Sequence, residues 1–341
     1  MIQTLTASVM WVLVLCLLPG ARTRKDHSIL IAAVAIAAAL SLNVDAIYAA
    51  GDAAIGGRNL LDLCASILMV VGIYFLSQAI LRAAELSDAP ARPDHRGLLI
   101  LGLVSVGLIL AFLGIAAPRS STRFMLDYGD QPAAAVYSAI QFSYIGVVVS
   151  VTGFVCFRFR RRMAASYFRV AFTLVGLGCA LALVVVLAVL GMDIAHLVGD
   201  LSTMANLSIV YDSSFVGAMV FLCAGLALPP VARRMVQRRQ MRTRADLLDE
   251  LTSTWERATA ARKEARIAAP EEVADGGDAT TRTLHRMLVE IQDALLMDPA
   301  AARLLNEADA RTVTRTEDFL ASIHGVEDGR DSVTRRGRRL G

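Results

Sequence analysis

Seven stretches of this chain, at about 2–18, 29–50, 60–81, 97–117, 134–157, 167–190 and 207–228, are almost wholly apolar. A helix crossing a hydrocarbon core of about 30 Å needs roughly 20 such residues. Hydrocarbon admits only structures that satisfy their backbone hydrogen bonds internally. The expected fold class is therefore all-α: a seven-helix transmembrane bundle followed by a small helical domain in water. Charge marks the division, because residues 1–232 hold 26 of the 65 charged side chains and the last 109 residues hold 39. The expected domains are a transmembrane domain over 1–232, a cytoplasmic helical domain over 233–325 and a basic disordered tail over 326–341.

Direction follows from the placement of basic residues. None precedes the first stretch, and Arg22, Arg24 and Lys25 follow it, so it reads as an N-outside anchor and not as a signal peptide. With Met1 outside, the inner loops also collect Arg82, Arg92, Arg96, Arg158, Arg160, Arg161, Arg162 and Arg169, while the outer loops hold only Arg58, Arg119 and Arg123. Such asymmetry orients membrane proteins. The expected location is the cell membrane, multi-pass, with a cytoplasmic C-terminus. The basic run at 233–244 is mainly the anchor of that arrangement, although anionic headgroups favour such a run by about 1 kcal/mol per charge.

Three aspartates, Asp45, Asp62 and Asp212, fall inside apolar stretches. A carboxylate at the centre of a membrane helix costs about 2.5–3.5 kcal/mol, and less near the ends. Under the expected direction all three share one depth in the outer half. Tyr137, Gln141 and Tyr144 repeat at four and three in the fifth stretch and so share a helix face. These six residues form the candidate ligand-binding site: an outward-opening polar pocket between stretches two, three, five and seven, suited to a cation or a positively charged small molecule. The alternative is that the acids only contact neighbouring helices or the interface. Asp127, Asp130, Asp193 and Asp200 read as solvated acids of the outer loops.

Several chemistries find no support. The nearest match to an intramembrane aspartyl protease is LVGD at 197–200, which precedes Asp212 and lies outside the stretches. There is no phosphate loop and no His-Glu-x-x-His motif. His285 has only 56 residues after it, too few for a kinase, and reads as a surface residue. No catalytic residue, metal site or cofactor is therefore expected, and the protein is not expected to be an enzyme. A net charge of +3 gives no support to direct nucleic-acid binding. All nine prolines sit at stretch borders or outside them, so helices broken midway, common in secondary transporters, are not expected. The five cysteines lie within apolar stretches and read as small core residues. The alanines from Ala32 to Ala39, with Ser213 and Gly217, read as close-packing faces.

In the tail, Leu247, Leu248, Leu251 and Trp255 recur at helical spacing, as do Leu284, Met287, Leu288, Ile291 and Leu295. A loop, PEEVADGGDATT, separates the two helices. A third helix is expected at TEDFLASI, 316–323.

Seven stretches followed by LLDELTSTWERA and LHRMLVEIQDALLMDP resemble an uncharacterised family of actinobacterial membrane proteins, customarily labelled transporters. The matching tail residues are Leu248, Leu251, Trp255, Leu284, Arg286, Glu290, Ile291 and Asp293, with His285 and Gln292 departing from the family pattern. The resemblance implies association with helix-turn-helix regulators and metallopeptidases of the phage-repressor type. It brings no catalytic residues.

Two functions remain open. One is a membrane sensor or scaffold that couples the outer pocket to a soluble cytoplasmic regulator through residues 233–325. The other is a transporter of a small solute, proton-coupled through the aspartates. The bilayer is the partner common to both. The direction is tested by fusions after Arg162 or Arg239. A fluorescent reporter is expected to be active there and alkaline phosphatase silent, and the reverse pattern overturns the topology.

Overall fold

A computed structural model describes residues 2–20, 27–85, 95–162, 166–260, 277–297 and 305–321. The Arg22–Lys25 cluster, Arg92, the 270–276 part of the tail loop and the 326–341 tail lie outside the described residues. Of those described, 90% are helical and none is in a strand. The chain divides into two compact units, Met1–Arg233 and Arg234–Gly341.

The first unit contains α1 (Ile2–Leu17), α2 (Ser28–Leu42), α3 (Asp45–Ala54), α4 (Leu60–Glu85), α5 (His95–Leu113), α6 (Phe124–Tyr128), α7 (Pro132–Phe159) and α8 (Ser166–Val198), with the apolar part of α9 (Leu201–Thr259). All seven apolar stretches are helical, but they are not seven equivalent spans. Five helices, α4, α5, α7, α8 and α9, are long and apolar enough to cross a membrane. The pair α2–α3 makes a sixth if it is one broken span, and α1 is shorter. Long apolar side chains on α5, such as Leu99, Leu103 and Leu110, are exposed, as lipid-facing residues of a multi-pass membrane protein are.

The second stretch departs from expectation. It breaks at Asn43–Val44 and turns by 84°, without a proline or glycine at the break. Asn43 is still helical at φ −86°, ψ 0°, whereas Val44 is extended at φ −74°, ψ 123° and redirects the chain. The new helix is held by buried Tyr48 and Asp52. Its first turn carries Asp45, a carboxylate at the positive end of a helix dipole. Pro229 and Pro230, at the border of the seventh apolar stretch, do not end the helix, and α9 continues through them to Thr259.

Close packing accounts for the small residues. Ala32, Ala33, Ala37 and Ala39 are buried on α2, which crosses α4 at Gly72. A Cβ at Gly72 would meet the Ile36 Cγ1 at 2.5 Å and the Ile36 backbone nitrogen at 3.2 Å. Cys156, Cys179 and Cys223 are buried, Cys16 is half-buried and Cys64 is exposed. Polar groups inside the bundle pair with each other, as where Thr152 donates to Ser77 at 3.0 Å.

LVGD is a helix-to-helix turn. Gly199, at φ +80°, ends α8 in a conformation that costs other residues about 1–2 kcal/mol. The Asp200 amide then donates to the Ala195 carbonyl at 2.9 Å, the bond that closes a Schellman cap. Asp200 also opens α9, its Oδ1 accepting from the Ser202 and Thr203 amides at 3.2 and 3.1 Å. The Thr203 hydroxyl, the Ser202 hydroxyl and these amides hold its carboxyl down to about 2. It is exposed, as expected of a loop acid.

The second unit has its own core. Leu247, Leu251 and Ala258 of α9 pack with Leu284, Leu288 and Ile291 of α10 (Gly277–Met297) and with Leu320 of α11 (307–321). Asn306 and Asp309 cap α11 reciprocally. The Asn306 Oδ1 accepts from the Asp309 amide at 2.9 Å, and the Asp309 Oδ2 accepts from the Asn306 amide at 3.0 Å, an Asn/Asp form of the capping box. Thr254 also donates to Asp309 at 3.0 Å, and Arg257 pairs with it.

Two predictions follow from this packing. Gly72→Leu is expected to destabilise the bundle by about 1–3 kcal/mol through overpacking, read as a lower thermal midpoint of the full chain. The second concerns acid. Burial opposes ionisation of Asp309, but the Asn306 amide, Arg257 and Thr254 outweigh it and hold the carboxyl below its ordinary value. The folded unit therefore binds fewer protons than the unfolded chain, whose aspartates titrate near about 3.9. The contribution is complete above that pH and is lost as pH falls through the folded value. In a Trp11→Phe background, Trp255 fluorescence should show Asp309→Asn less stable than the parent at neutral pH, with the gap closing below about pH 4.

Candidate ligand-binding site

The break after α2, the start of α4 and the first turns of α7 converge on one polar position. Asp62 sits in the first turn of α4, and its Oδ2 accepts a hydrogen bond from the Tyr137 hydroxyl at 2.9 Å. Tyr137 is 2% exposed. Its ring packs against Phe112 and Phe124, with centroids 6.0 and 6.4 Å away. The aromatic cluster fixes the phenol, and the phenol fixes the carboxylate. On the next residue of α7, the Ser138 hydroxyl donates to Asp193 of α8 at 2.5 Å. Asp193 is thus a half-buried helix residue and not a solvated loop acid.

Two cavities meet here. The polar one, about 150 Å³, is walled by Asp62, Ser66, Tyr137, Ser138, Gln141 and Asn43, with Met69, Met125 and Phe142 among its apolar contacts. The other, about 180 Å³, is mainly apolar, with Ile73, Leu76, Val149, Val186 and Phe215 in its walls. Asn43, Met69, Gln141 and Phe142 belong to both. The helix break therefore places a side-chain amide at the junction of a polar and an apolar space. An anion held in apolar surroundings next to aromatic rings favours a cation, and the adjoining chamber favours an apolar body attached to it.

Of the six expected residues, Asp62, Tyr137 and Gln141 come together. Asp45 is exposed at the start of α3 and lines neither cavity. Ser41, four residues before it, accepts from the Trp11 indole at 3.0 Å. Tyr144 is buried in the general core beside the cavities. Asp212 is exposed on α9, while its neighbour Tyr211 faces the apolar cavity with Phe215, their rings stacked at 5.6 Å. On a helix, consecutive residues point about 100° apart, so only one of the Tyr211–Asp212 pair can face inward.

The tail motif residues are mostly structural. Leu251, Leu284 and Ile291 form the second core, and Leu248 packs against it. The Trp255 indole donates to buried Glu290 at 2.5 Å, and Arg286 approaches the other Glu290 oxygen at 3.7 Å. Asp293 and His285 are exposed.

A second polar cluster was not anticipated. Asp52, fully buried, accepts from the Asn59 amide at 3.0 Å and the Ser120 hydroxyl at 2.6 Å. Asn59, at φ +58°, accepts from the Tyr48 hydroxyl at 3.0 Å and the Ser121 amide at 2.7 Å, and donates to the Arg119 carbonyl at 2.9 Å. It ties the α3–α4 turn to the loop before α6. The turn signal Gly56–Gly57 between Asp52 and Asn59 was visible in the sequence. The partner loop, 60 residues on, was not.

No family model, curated protein or solved structure matches the chain.

The Asp62–Tyr137 contact is testable by a double-mutant cycle. Asp62→Asn and Tyr137→Phe are expected to be non-additive in the stability of the full chain by about 1 kcal/mol, the range of hydrogen bonds between membrane helices. Strict additivity would remove Tyr137 as the group that positions the carboxylate.

Proposed function

We propose that this protein is a membrane sensor or scaffold that binds a small amphipathic cation at Asp62 and Tyr137 and conveys occupancy to the helical domain of residues 233–325. The single observation that carries the binding reading is a carboxylate, fixed by a phenol, in a cavity that shares four wall residues with an apolar chamber. Coupling is supported by α9. That one helix supplies Tyr211 and Phe215 to the apolar cavity and Leu247 and Leu251 to the core of the second unit. A ligand that rotates or shifts α9 needs only a differential affinity for two positions of the helix to change its occupancy of each. The reading takes the N-outside, C-inside direction, with the cavity toward the outer side and a soluble regulator as the partner inside.

The second reading, transport, draws on the α2–α3 break. Broken helices place polar backbone and side chains at solute sites in secondary transporters, and here Asn43, at the break, lines both cavities.

Benzyltrimethylammonium is a suitable probe, since it carries a fixed positive charge and an apolar ring. Binding to the full chain in nanodiscs is expected to fall at least tenfold in Asp62→Asn and to be unchanged in Asp212→Asn. Equal binding by the parent and Asp62→Asn would refute the site. Flux of the probe in proteoliposomes, abolished by Asp62→Asn, would favour the transporter. Absent flux, with ligand-dependent capture of a soluble partner by the full chain, would favour the sensor.

A further inference from the structure

A cavity larger than these two lies elsewhere in the first unit and plays no part in the site above. It measures about 470 Å³, within the range of about 300–1,000 Å³ that accommodates sizeable apolar ligands. It sits at the end of the bundle where α1, α4 and α7 finish and α2 and α8 begin. Its walls are chiefly apolar, among them Leu17, Phe172 and Val175, yet among the described residues they include two arginines, Arg82 and Arg233, and no acidic residue. An apolar chamber with two guanidinium groups in its wall is matched by an apolar chain bearing an anion.

Both guanidinium groups are positioned. The Arg82 Nη1 donates to the Ser28 hydroxyl at 3.1 Å, and Arg233 lies over the Phe168 ring at 5.1 Å. Guanidinium is planar, is always charged and presents a donor fork that fits phosphate oxygens in pairs. The floor of the chamber is shaped by α9. Pro229 and Pro230 have no N–H, so the carbonyls of Gly225 and Leu226 have no helical donor four residues on. All four residues line the cavity. At Gly225, a Cβ would lie 2.6 Å from the Val175 Cγ2 and 2.9 Å from the Val175 nitrogen, so α8 and α9 touch beside the chamber. The same end of the bundle carries Arg158, Arg160, Arg161 and Arg169, which adds a long-range bias toward anions.

We infer that this chamber binds an anionic phospholipid from the surrounding bilayer, with its phosphate at Arg82 and Arg233 and an acyl chain in the apolar space. Basic pockets between membrane helices recognise such headgroups. The occupant is a lipid and not free phosphate because the volume is overwhelmingly apolar, and a bare anion would leave it unfilled.

The test uses the purified full chain in detergent, with dioleoylphosphatidylglycerol, dioleoylphosphatidylcholine and inorganic phosphate compared by thermal midpoint and by lipid retention in native mass spectrometry. The phosphatidylglycerol is expected to raise the midpoint and to remain bound in preference to the zwitterionic lipid by roughly twenty-five-fold, or about fivefold per arginine. The double variant Arg82→Gln/Arg233→Gln should lose that preference. If it does not fold, Arg233→Gln alone decides, because Arg233 is exposed and its loss should still lower the preference about fivefold, with Arg233→Lys restoring part of it. Retention of both lipids alike, an undiminished preference in Arg233→Gln, or stabilisation by inorganic phosphate equal to that by phosphatidylglycerol would each overturn the assignment.

Discussion

Hydrocarbon offers no hydrogen-bond partner, and several polar side chains inside the first unit are paired accordingly. Backbone groups are satisfied within helices. Side chains that cannot reach water find each other: Tyr137 with Asp62, Ser138 with Asp193, Thr152 with Ser77, Trp11 with Ser41. Such bonds are individually modest, near 0.6 kcal/mol on average. Their value lies in direction. Each one fixes the rotation of a helix about its own axis, which apolar packing alone leaves poorly defined.

The turn at Asn43–Val44 is the structural event from which the site arises. Had the second stretch run straight, Asn43 would have been one more residue on a long helix. Redirection by 84° brings α3 over to the Asp52–Asn59 cluster and leaves Asn43 at the seam between polar and apolar cavities. Small residues make the rest possible. The alanine face of α2 and Gly72 of α4 let those helices approach closely, with Ile36 seated directly against Gly72. At the opposite end, proline replaces small size as the device, since Pro229 and Pro230 remove main-chain donors from α9 beside the arginine-lined chamber.

The second unit follows the rules of water. An apolar stripe from each of three helices forms its core, and its buried carboxylates are paired: Glu290 is met by the Trp255 indole and by Arg286, and Asp309 by Thr254 and Arg257. The tail residues that the sequence singles out are thus largely those that hold this unit together, with Asp293 and His285 on its exposed surface.

Composition and periodicity determined the helical class, the positions of the apolar helices, the aqueous tail and its core stripe, because burial in lipid or against another helix selects residues one position at a time. They also picked out Asp62, Tyr137 and Gln141, whose polarity in apolar surroundings stands out locally. What they left undecided was direction around each helix axis and where a helix ends. Asp212 and Tyr211 are adjacent in sequence, yet only the tyrosine faces inward. Asp45 reads as an acid in the outer half of one continuous helix until the chain is seen to turn before it. Asp52 gains its meaning from Asn59, Ser120 and an intervening turn. Those outcomes depend on which helix lies alongside, and contacts between residues tens of positions apart exist only in the tertiary structure.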